Sequence, residues 1–385
     1  MERVKTAFVG CGGIAGAHVR GLKILWDAGI KTFEVIATCD VDLQRAINMS
    51  QDIAAFQGAK PRAYADLEEM LAREPELEAV DICALHRIHH NLAITCLNAG
   101  KHVTIEKPLG LTMRAGRAII DAAQQNGRIL QVAENYRRAP SERAINWAIR
   151  NGRIGRLRML YWIDVSERLW HWGWRDHKDQ AGGGWTLDGG VHFADLFRYH
   201  IGEVEELYAI SKTYNPIRFK DRERLQDPVE ITVEDTTMAT IKFANGVTGT
   251  WVATNSAPGK GGNFRAIYGD KGCIRWNEGL FTRDENIPIE QLEKEFMDSL
   301  SEQERERLFP RGVTDTIATE LKEFCDAVRG KGTVEITGLE GFKDEAICMA
   351  VYESAWLDAP VRIEDIEGLK IENYQAELNE DVRLM

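Results

Sequence analysis

The first fifteen residues restrict the fold of this chain more than any later stretch. Val4 to Gly10 (VKTAFVG) is a short apolar run ending in glycine, and from Gly13 to Asp27 apolar residues recur at helical spacing through Ile14, Val19, Leu22 and Trp26. The junction reads G-x-G-x-x-A, with Gly10, Gly12 and Ala15 in the marked positions. Between a strand and a helix, the first glycine makes the tight turn and the second admits a pyrophosphate to the backbone. The small third residue lets helix and strand pack, and the phosphates lie at the positive helix end, where Gly13 and Ile14 belong to the same candidate loop. The motif alone is weak, but here it has its context: Phe33 to Cys39 (FEVIATC) reads as a second strand that stops at Asp40. A carboxylate at that strand end accepts both ribose hydroxyls of an adenosine and repels a 2′-phosphate, so the expected cofactor is NAD, with NADP disfavoured. Arg45 lies close enough to weaken that preference, although it reads first as an exposed helix residue.

The alternation continues. Leu43 to Phe56 reads as a helix, Asp66 as the cap of another, and Ala79 to Leu85 (AVDICAL) as a nearly uncharged strand. Asn91 to Ala99 is helical and stops at Gly100, and His102 to Ile105 is a strand followed by Glu106-Lys107-Pro108. Met113 to Asn126 and Ile129 to Ala133 add one more helix and strand. Successive βα units imply a doubly wound parallel sheet over residues 1–134, and the lysine after the fifth strand falls in the crevice where such sheets bind ligands. Beyond residue 135 the pattern changes to strands in series (158–165, 204–212, 236–243, 247–253, 264–268 and 273–276), with Asn245-Gly246 as a hairpin signal. The expectation for residues 135–385 is a second α/β domain built on a large open, mostly antiparallel sheet, whose uncovered face offers Ile241, Phe243, Trp251 and Trp276 as apolar contact for a homo-oligomer. Its closing helices, at 314–329 and 339–356, are candidates to pack back on the first domain. The charged stretch from Gln291 to Leu308 reads as a solvated helical face.

Within the second domain, Gly182 to His192 (GGGWTLDGGVH) gathers polar chemistry behind a run of glycines. A helix opening near Thr186 places Asp188 and His192 at i and i+4 on one face, where both can meet one ligand. Gly189 and Gly190 inside that helix cost about 1 kcal/mol each relative to alanine, so a ligand or packed element must need the backbone bare. A net charge of −12 with no basic patch argues against a nucleic-acid partner. No apolar run is long enough to cross a bilayer. Seven scattered cysteines without a C-x-x-C pair point to a reducing cytoplasm.

Taken together, G-x-G-x-x-A, the run Ala99 to Leu109 containing Glu106-Lys107-Pro108, Asn135-Tyr136-Arg137 and Gly182-Gly183-Gly184 with Asp188-x-x-x-His192 resemble the Gfo/Idh/MocA oxidoreductases. The resemblance covers nearly the whole chain. It implies a Rossmann domain, an α/β domain whose open sheet mediates oligomers (a dimer or tetramer), and hydride transfer between NAD and an alcohol carbon of a carbohydrate or polyol. It implies Lys107, Asp188 and His192 as the catalytic group. His89, Glu106, Lys107 and Asn135 join the cofactor site, and Arg137, Trp172, Trp174 and Arg175 join those three on the substrate. The chemistry is coherent, because an alcohol surrenders hydride only if its proton also leaves, which calls for a base and a cation at the oxygen. One departure is that Ala84-Leu85-His86 stands where members carry Thr-Pro-Asn. His86 and Arg87 are therefore candidates for contact with substrate or cofactor, with a surface loop as the alternative.

Five tryptophans fall between residues 162 and 185. Trp162, on a strand, reads as core. Trp170, Trp172 and Trp174 are interleaved with His171, Arg175, Asp176 and His177, whose polarity resists burial, and indole faces stack on the apolar faces of sugars. A metal site from His171, Asp176, His177 and His192 lacks a recognised ligand spacing, so none is expected. Three functions remain in view: an NAD-dependent dehydrogenase of sugars, inositols or glycosides; an NAD-requiring glycosidase or lyase that oxidises its sugar transiently; and a dinucleotide sensor without turnover, against which the retained Lys107, Asp188 and His192 argue.

Overall fold

The computed structural model describes residues 3–383. They form two compact units, one of residues up to Ala139 with Ser301–Phe342, the other of Pro140–Leu300 with residues from Lys343 onward. The first unit alternates strand and helix: β1 (Val4–Val9), α1 (Gly13–Asp27), β2 (Phe33–Cys39), α2 (Leu43–Gln57), β3 (Arg62–Tyr64), α3 (Leu67–Arg73), β4 (Ala79–Ile82), α4 (His89–Asn98), β5 (His102–Glu106), α5 (Met113–Asn126) and β6 (Leu130–Ala133). The six strands lie in the order β3-β2-β1-β4-β5-β6 and pair in parallel throughout. This is the doubly wound sheet expected for residues 1–134. β4 is buried on both faces, as a central parallel strand must be, and carries one charged residue, Asp81.

The second unit holds α6 (Pro140–Arg150), β7 (Leu157–Val165), α7 (Lys178–Ala181), α8 (Trp185–Asp188), α9 (Gly190–His200), β8 (Val204–Lys212), β9 (Ile217–Asp221), β10 (Gln226–Glu230), β11 (Thr236–Phe243) and β12 (Thr248–Thr254). It continues through β13 (Gly262–Gly269), β14 (Gly272–Arg275), β15 (Gly279–Thr282), β16 (Asn286–Pro288) and α10 (Ile289–Ser299). After α11 (Glu302–Leu308) and α12 (Thr316–Val328) come α13 (Gly338–Leu357) and β17 (Val361–Arg362). Of these, α11 and α12 belong to the first unit, and the division between units falls within α13. Leu321 and Phe324 of α12 share one buried cluster with Val19 and Leu22 of α1. Each is worth ~1.5–3 kcal/mol of burial, so the chain's return at 301–342 completes the first core.

The large sheet runs β16-β15-β14-β13-β7-β12-β11-β8-β17, and every pairing is antiparallel except β7 with β12. Its strands alternate cleanly, as along β11, where Ala239, Ile241 and Phe243 are buried while Met238, Thr240 and Lys242 are exposed. α9 covers one face. Phe193 packs 4.8 Å from Trp162, and Phe197 packs 5.3 Å from Trp162 and 5.6 Å from Trp251. The other face carries Met159, Ile210 and Met238 at 37%, 46% and 49% exposure. Beside them Tyr161 contacts Phe264 and Tyr268, each with ring centroids 6.0 Å away.

The charged stretch at 291–308 is two helices. α10 buries Leu292 and Phe296, whereas α11 buries nothing and starts at a capping box between Ser301 and Glu304. Among the described residues no helix is long and apolar enough to cross a membrane.

Candidate active site

In the first unit, β1 ends at Val9 and the chain turns at Gly10, whose φ is +87°. A Cβ there would stand 2.5 Å from the Cys83 carbonyl oxygen, so both backbone angle and space demand glycine. Gly12 and Gly13 differ: a Cβ on either would meet nothing within 4 Å, which leaves the start of α1 open to a ligand. Ala15, fully buried, lets α1 lie close on the sheet, and Ile14 is partly exposed beside it. Asp40 is held rigidly at the end of β2, because the Cys11 N–H donates to its Oδ2 at 2.8 Å and the Asp42 N–H to its Oδ1 at 2.9 Å. Each carboxylate oxygen keeps a lone pair for a hydroxyl. Arg45 sits exposed on α2 and pairs with Asp42 at 3.4 Å.

Glu106 closes β5, and its Oε2 accepts the Lys107 N–H at 3.1 Å. Its other oxygen lies 3.0 Å from Nε2 of His18, whose Nδ1 lies 2.8 Å from Asp81. His18, Asp81 and Cys83 bring ligand-type atoms within 4.8 Å of one another, the one such group among the described residues. Burial pushes the Cys83 thiol well above its usual range, and its Sγ lies 3.4 Å from Asp81 and 3.7 Å from the His18 ring. Asn135 donates to Thr316 at 2.8 Å. Arg137 is nearly buried and lies 3.9 Å from Glu335, so its charge is balanced within the unit.

His89 corrects an expectation. Its ring is fully buried, with Nδ1 3.0 Å from the Pro108 carbonyl and Nε2 3.1 Å from that of Ala84. Burial, helped by the neighbouring His86, lowers its pKa to about 4, so it is neutral and donates to only one of the two. It braces the two loops from beneath and has no surface for a cofactor. His86 is buried as well, while Arg87 is half-buried.

In the second unit the glycines of GGGWTLDGG are explained by protein rather than by ligand. A Cβ on Gly183 would collide with the Tyr352 hydroxyl, and one on Gly184 would stand 2.6 Å from the Glu234 carbonyl oxygen. On Gly189 and Gly190 it would press at 2.6 Å into the indoles of Trp185 and Trp251. The expected single helix is therefore two, α8 and α9, joined at Gly189. Beneath the turn lies Glu234, nearly buried. It accepts the N–H groups of Gly184 (2.8 Å) and Thr186 (3.0 Å) and the hydroxyl of Tyr352 (3.0 Å). Asp188, nearly buried at the end of α8, lies 3.3 Å from the Arg175 Nε, and His192 stands half-buried in the first turn of α9.

The tryptophan segment is ordered by Asp176, fully buried, which binds Arg168 at 2.8 Å and the Trp172 N–H at 2.5 Å. The Arg175 guanidinium lies 4.3 Å from the ring of Trp174 and 5.1 Å from that of Trp172. Trp162 is core, as expected. Two residues that shape the site carry no readable signal, His18 and Glu234, which look in sequence like ordinary helix or loop polar groups, whereas Asp176 shows only as a polar neighbour of the tryptophans. Lys107 belongs to the first unit, Asp188 and His192 to the second.

Residues 4–134 match the family described as an oxidoreductase family with an NAD-binding Rossmann fold, and residues 143–275 match the GFO/IDH/MocA C-terminal domain. Over 321 residues the chain is 29% identical to levoglucosan dehydrogenase of Pseudarthrobacter phenanthrenivorans, covering 74% of this chain and 81% of the relative. Over 375 residues it is 25% identical to myo-inositol 2-dehydrogenase of Thermotoga maritima, covering 95% and 100%. Among solved structures, the WlbA dehydrogenase of Chromobacterium violaceum, in complex with NADH and UDP-GlcNAcA, matches at a TM-score of 0.73 and 25% identity over 94% of this chain and 96% of that one. A glycine loop open at Gly12 and Gly13, a fixed Asp40 beyond the second strand and both domain matches lead to one assignment: the chain belongs to the Gfo/Idh/MocA family of NAD-binding oxidoreductases.

Proposed function

We propose that the protein oxidises a secondary alcohol of a sugar, inositol or glycoside with NAD. The observation that carries this reading lies in the second unit, where the Arg175 guanidinium links Asp188 to the indole faces of Trp172 and Trp174, in a stretch of chain that also carries His192. Indole faces take the C–H side of a sugar ring, and the polar groups take its hydroxyls. NAD, when bound, supplies the two-electron acceptor. The backbone of Gly10, Gly12, Gly13 and Ile14 with Ala15 holds its pyrophosphate, Asp40 its ribose, and Glu106 and Asn135 the nicotinamide side. Lys107 donates to the reacting oxygen and stabilises its growing negative charge, His192 takes its proton, and Asp188 orients His192. Arg137 fixes a further hydroxyl. The proton lost by the alcohol ends on His192, and the carbon becomes a ketone.

A panel of sugars, inositols and glycosides assayed with NAD and NADP tests this. NADH formed in proportion to ketone supports the dehydrogenase, and aglycone released without net NADH points instead to a glycosidase. Asp40→Ser removes a charge-assisted bond worth about 1.5–3 kcal/mol and should weaken NAD roughly tenfold to a hundredfold while easing NADP binding. Tighter binding of NADP than NAD by the parent protein would refute the role of Asp40.

None of the seven cysteines forms a disulfide and six of them are buried, which supports a cytoplasmic location. For assembly we propose a homo-oligomer, a dimer or tetramer. Ile241, Phe243 and Trp251, which alternation offered as its contact, are fully buried under α9, and Trp276 lies on the same covered side, 5.0 Å from Trp162. The opposite face, with Met159, Tyr161, Ile210, Met238 and Phe264, is the one available. Light scattering at micromolar concentration should give a multiple of 43.4 kDa, and Met238→Glu should shift it toward the monomer. A monomeric mass for the parent protein refutes this assembly.

A further inference from the structure

A cleft of about 550 Å3 opens in the second unit over the ends of β7 and β12 and the start of β13. Its aromatic wall is Trp170, Trp172 and Trp185, with ring centroids 6.0 Å apart for the first pair and 5.9 Å for the second. Trp185, at 36% exposure, is one of the more open large apolar side chains of the protein. Three adjoining indoles facing a cleft rather than the core form a stacking surface.

Charge narrows what the surface accepts. Two guanidinium groups line the cleft, but each is already matched. Arg168 binds Asp176 at 2.8 and 3.3 Å, and Arg265 binds Asp164 through Nη2 at 2.8 Å and Nε at 3.0 Å. Of these two partners Asp164 lines the cleft and Asp176 is fully buried outside the lining, so both guanidinium charges are already compensated and a phosphate or carboxylate would have to compete with those carboxylates for them. Neutral polar groups, Ser166 and Asn263, complete the rim. An apolar ring face bordered by hydroxyls fits that combination, and the volume holds one such ring with space for its linkage.

Position links the cleft to the chemistry. Trp185 opens α8, the helical turn that Asp188 closes, and the Arg175 guanidinium spans from Asp188 to the face of Trp172. One side chain therefore separates the carboxylate beside the reacting ring from the aromatic wall. We propose that the Trp170–Trp172–Trp185 cleft is a subsite for a second, uncharged sugar ring, so that the substrate is a neutral disaccharide whose other ring is oxidised beside Asp188 and His192. The inference rests on the carbohydrate-oxidation reading above.

The test compares turnover with binding. Steady-state rates with NAD are measured for glucose and galactose against cellobiose, maltose and lactose. For at least one disaccharide, kcat/KM should exceed that of its free sugar by about tenfold or more, the scale expected from one base-sized ring stacked on an aromatic side chain. In Trp170→Ala that ratio should fall to about one. Quenching of tryptophan fluorescence by the same disaccharides reports binding without turnover. Disaccharide binding that Trp170→Ala abolishes, with no NADH from any sugar, would support the subsite while overturning the oxidation reading. Equal kcat/KM for free sugars and disaccharides, or quenching by p-nitrophenyl glucoside and by no disaccharide, overturns the subsite.

Discussion

His192→Ala should lower turnover by roughly a hundredfold or more, the usual contribution of a positioned base, and leave NAD affinity within about twofold. The separation is expected because His192 lies in the second unit, whereas the glycine loop and Asp40 belong to the first. A hundredfold loss corresponds to about 2.7 kcal/mol of transition-state stabilisation. Nothing in the packing predicts a comparable loss of stability, since His192 is half-buried and its neighbours Val191 and Phe193 carry the contact of α9 with the sheet. Lys107→Ala should lower turnover by a similar factor. If cation and base serve one proton-transfer step, the double variant should be little worse than either single, because removing one member already disables the step. Near-normal turnover in His192→Ala would move the base to another residue, with Lys107 the first to test. Fully multiplicative losses in the double variant would assign the two residues to separate steps.

How far the sequence could be read differs between the units for a physical reason. In the first, β4 and β6 are buried along their whole length and β1 ends at a glycine, so composition and period coincide there, and the strand at Phe33–Cys39 is legible to the residue. β3, only three residues long, is too short to show a period, and the hairpin of β9 and β10 is too polar and exposed to show one. In the second unit, alternation identified the strands but could not say which face α9 would cover, and for that reason Ile241, Phe243 and Trp251 were assigned to the open side. The glycines of the Asp188 turn were correctly read as places of close approach. What approaches, the indoles of Trp185 and Trp251 and the buried Glu234, comes from up to some sixty residues away in the chain and leaves no local pattern. The parallel pairing of β7 with β12 is a long-range contact of the same kind.

The second large effect is expected at His18, which α1 buries completely between carboxylates of two strands, Asp81 of β4 and Glu106 of β5. Each ring nitrogen has an acceptor, so the geometry is that of an imidazolium donating twice. Burial, the largest single effect, pushes its pKa down, but the neighbouring Asp81 and Cys83 together outweigh it and hold it well above the usual value. Cys83 stands 3.4 Å from Asp81, and Glu320 of α12 adds a further buried carboxyl that burial keeps well above its usual range, against the pull of His18 and Arg138. His18→Leu leaves Asp81 and Glu106 buried without their shared cation and should cost about 3–5 kcal/mol at pH 7, the range for breaking a buried ion pair on one side. The sign with pH follows from the raised value. The folded state keeps a proton that the unfolded histidine loses above about pH 6.5, so the stabilisation is complete below that pH and fades as pH rises through the folded pKa. Denaturant midpoints should accordingly fall between pH 6.5 and 8 in the parent protein, and nitrogen NMR of histidine-labelled protein, assigned with His18→Leu, should show this ring still doubly protonated at pH 8. A neutral ring at that pH, or a variant within about 1 kcal/mol of the parent, would mean that one of the carboxyls rather than the imidazole carries the proton.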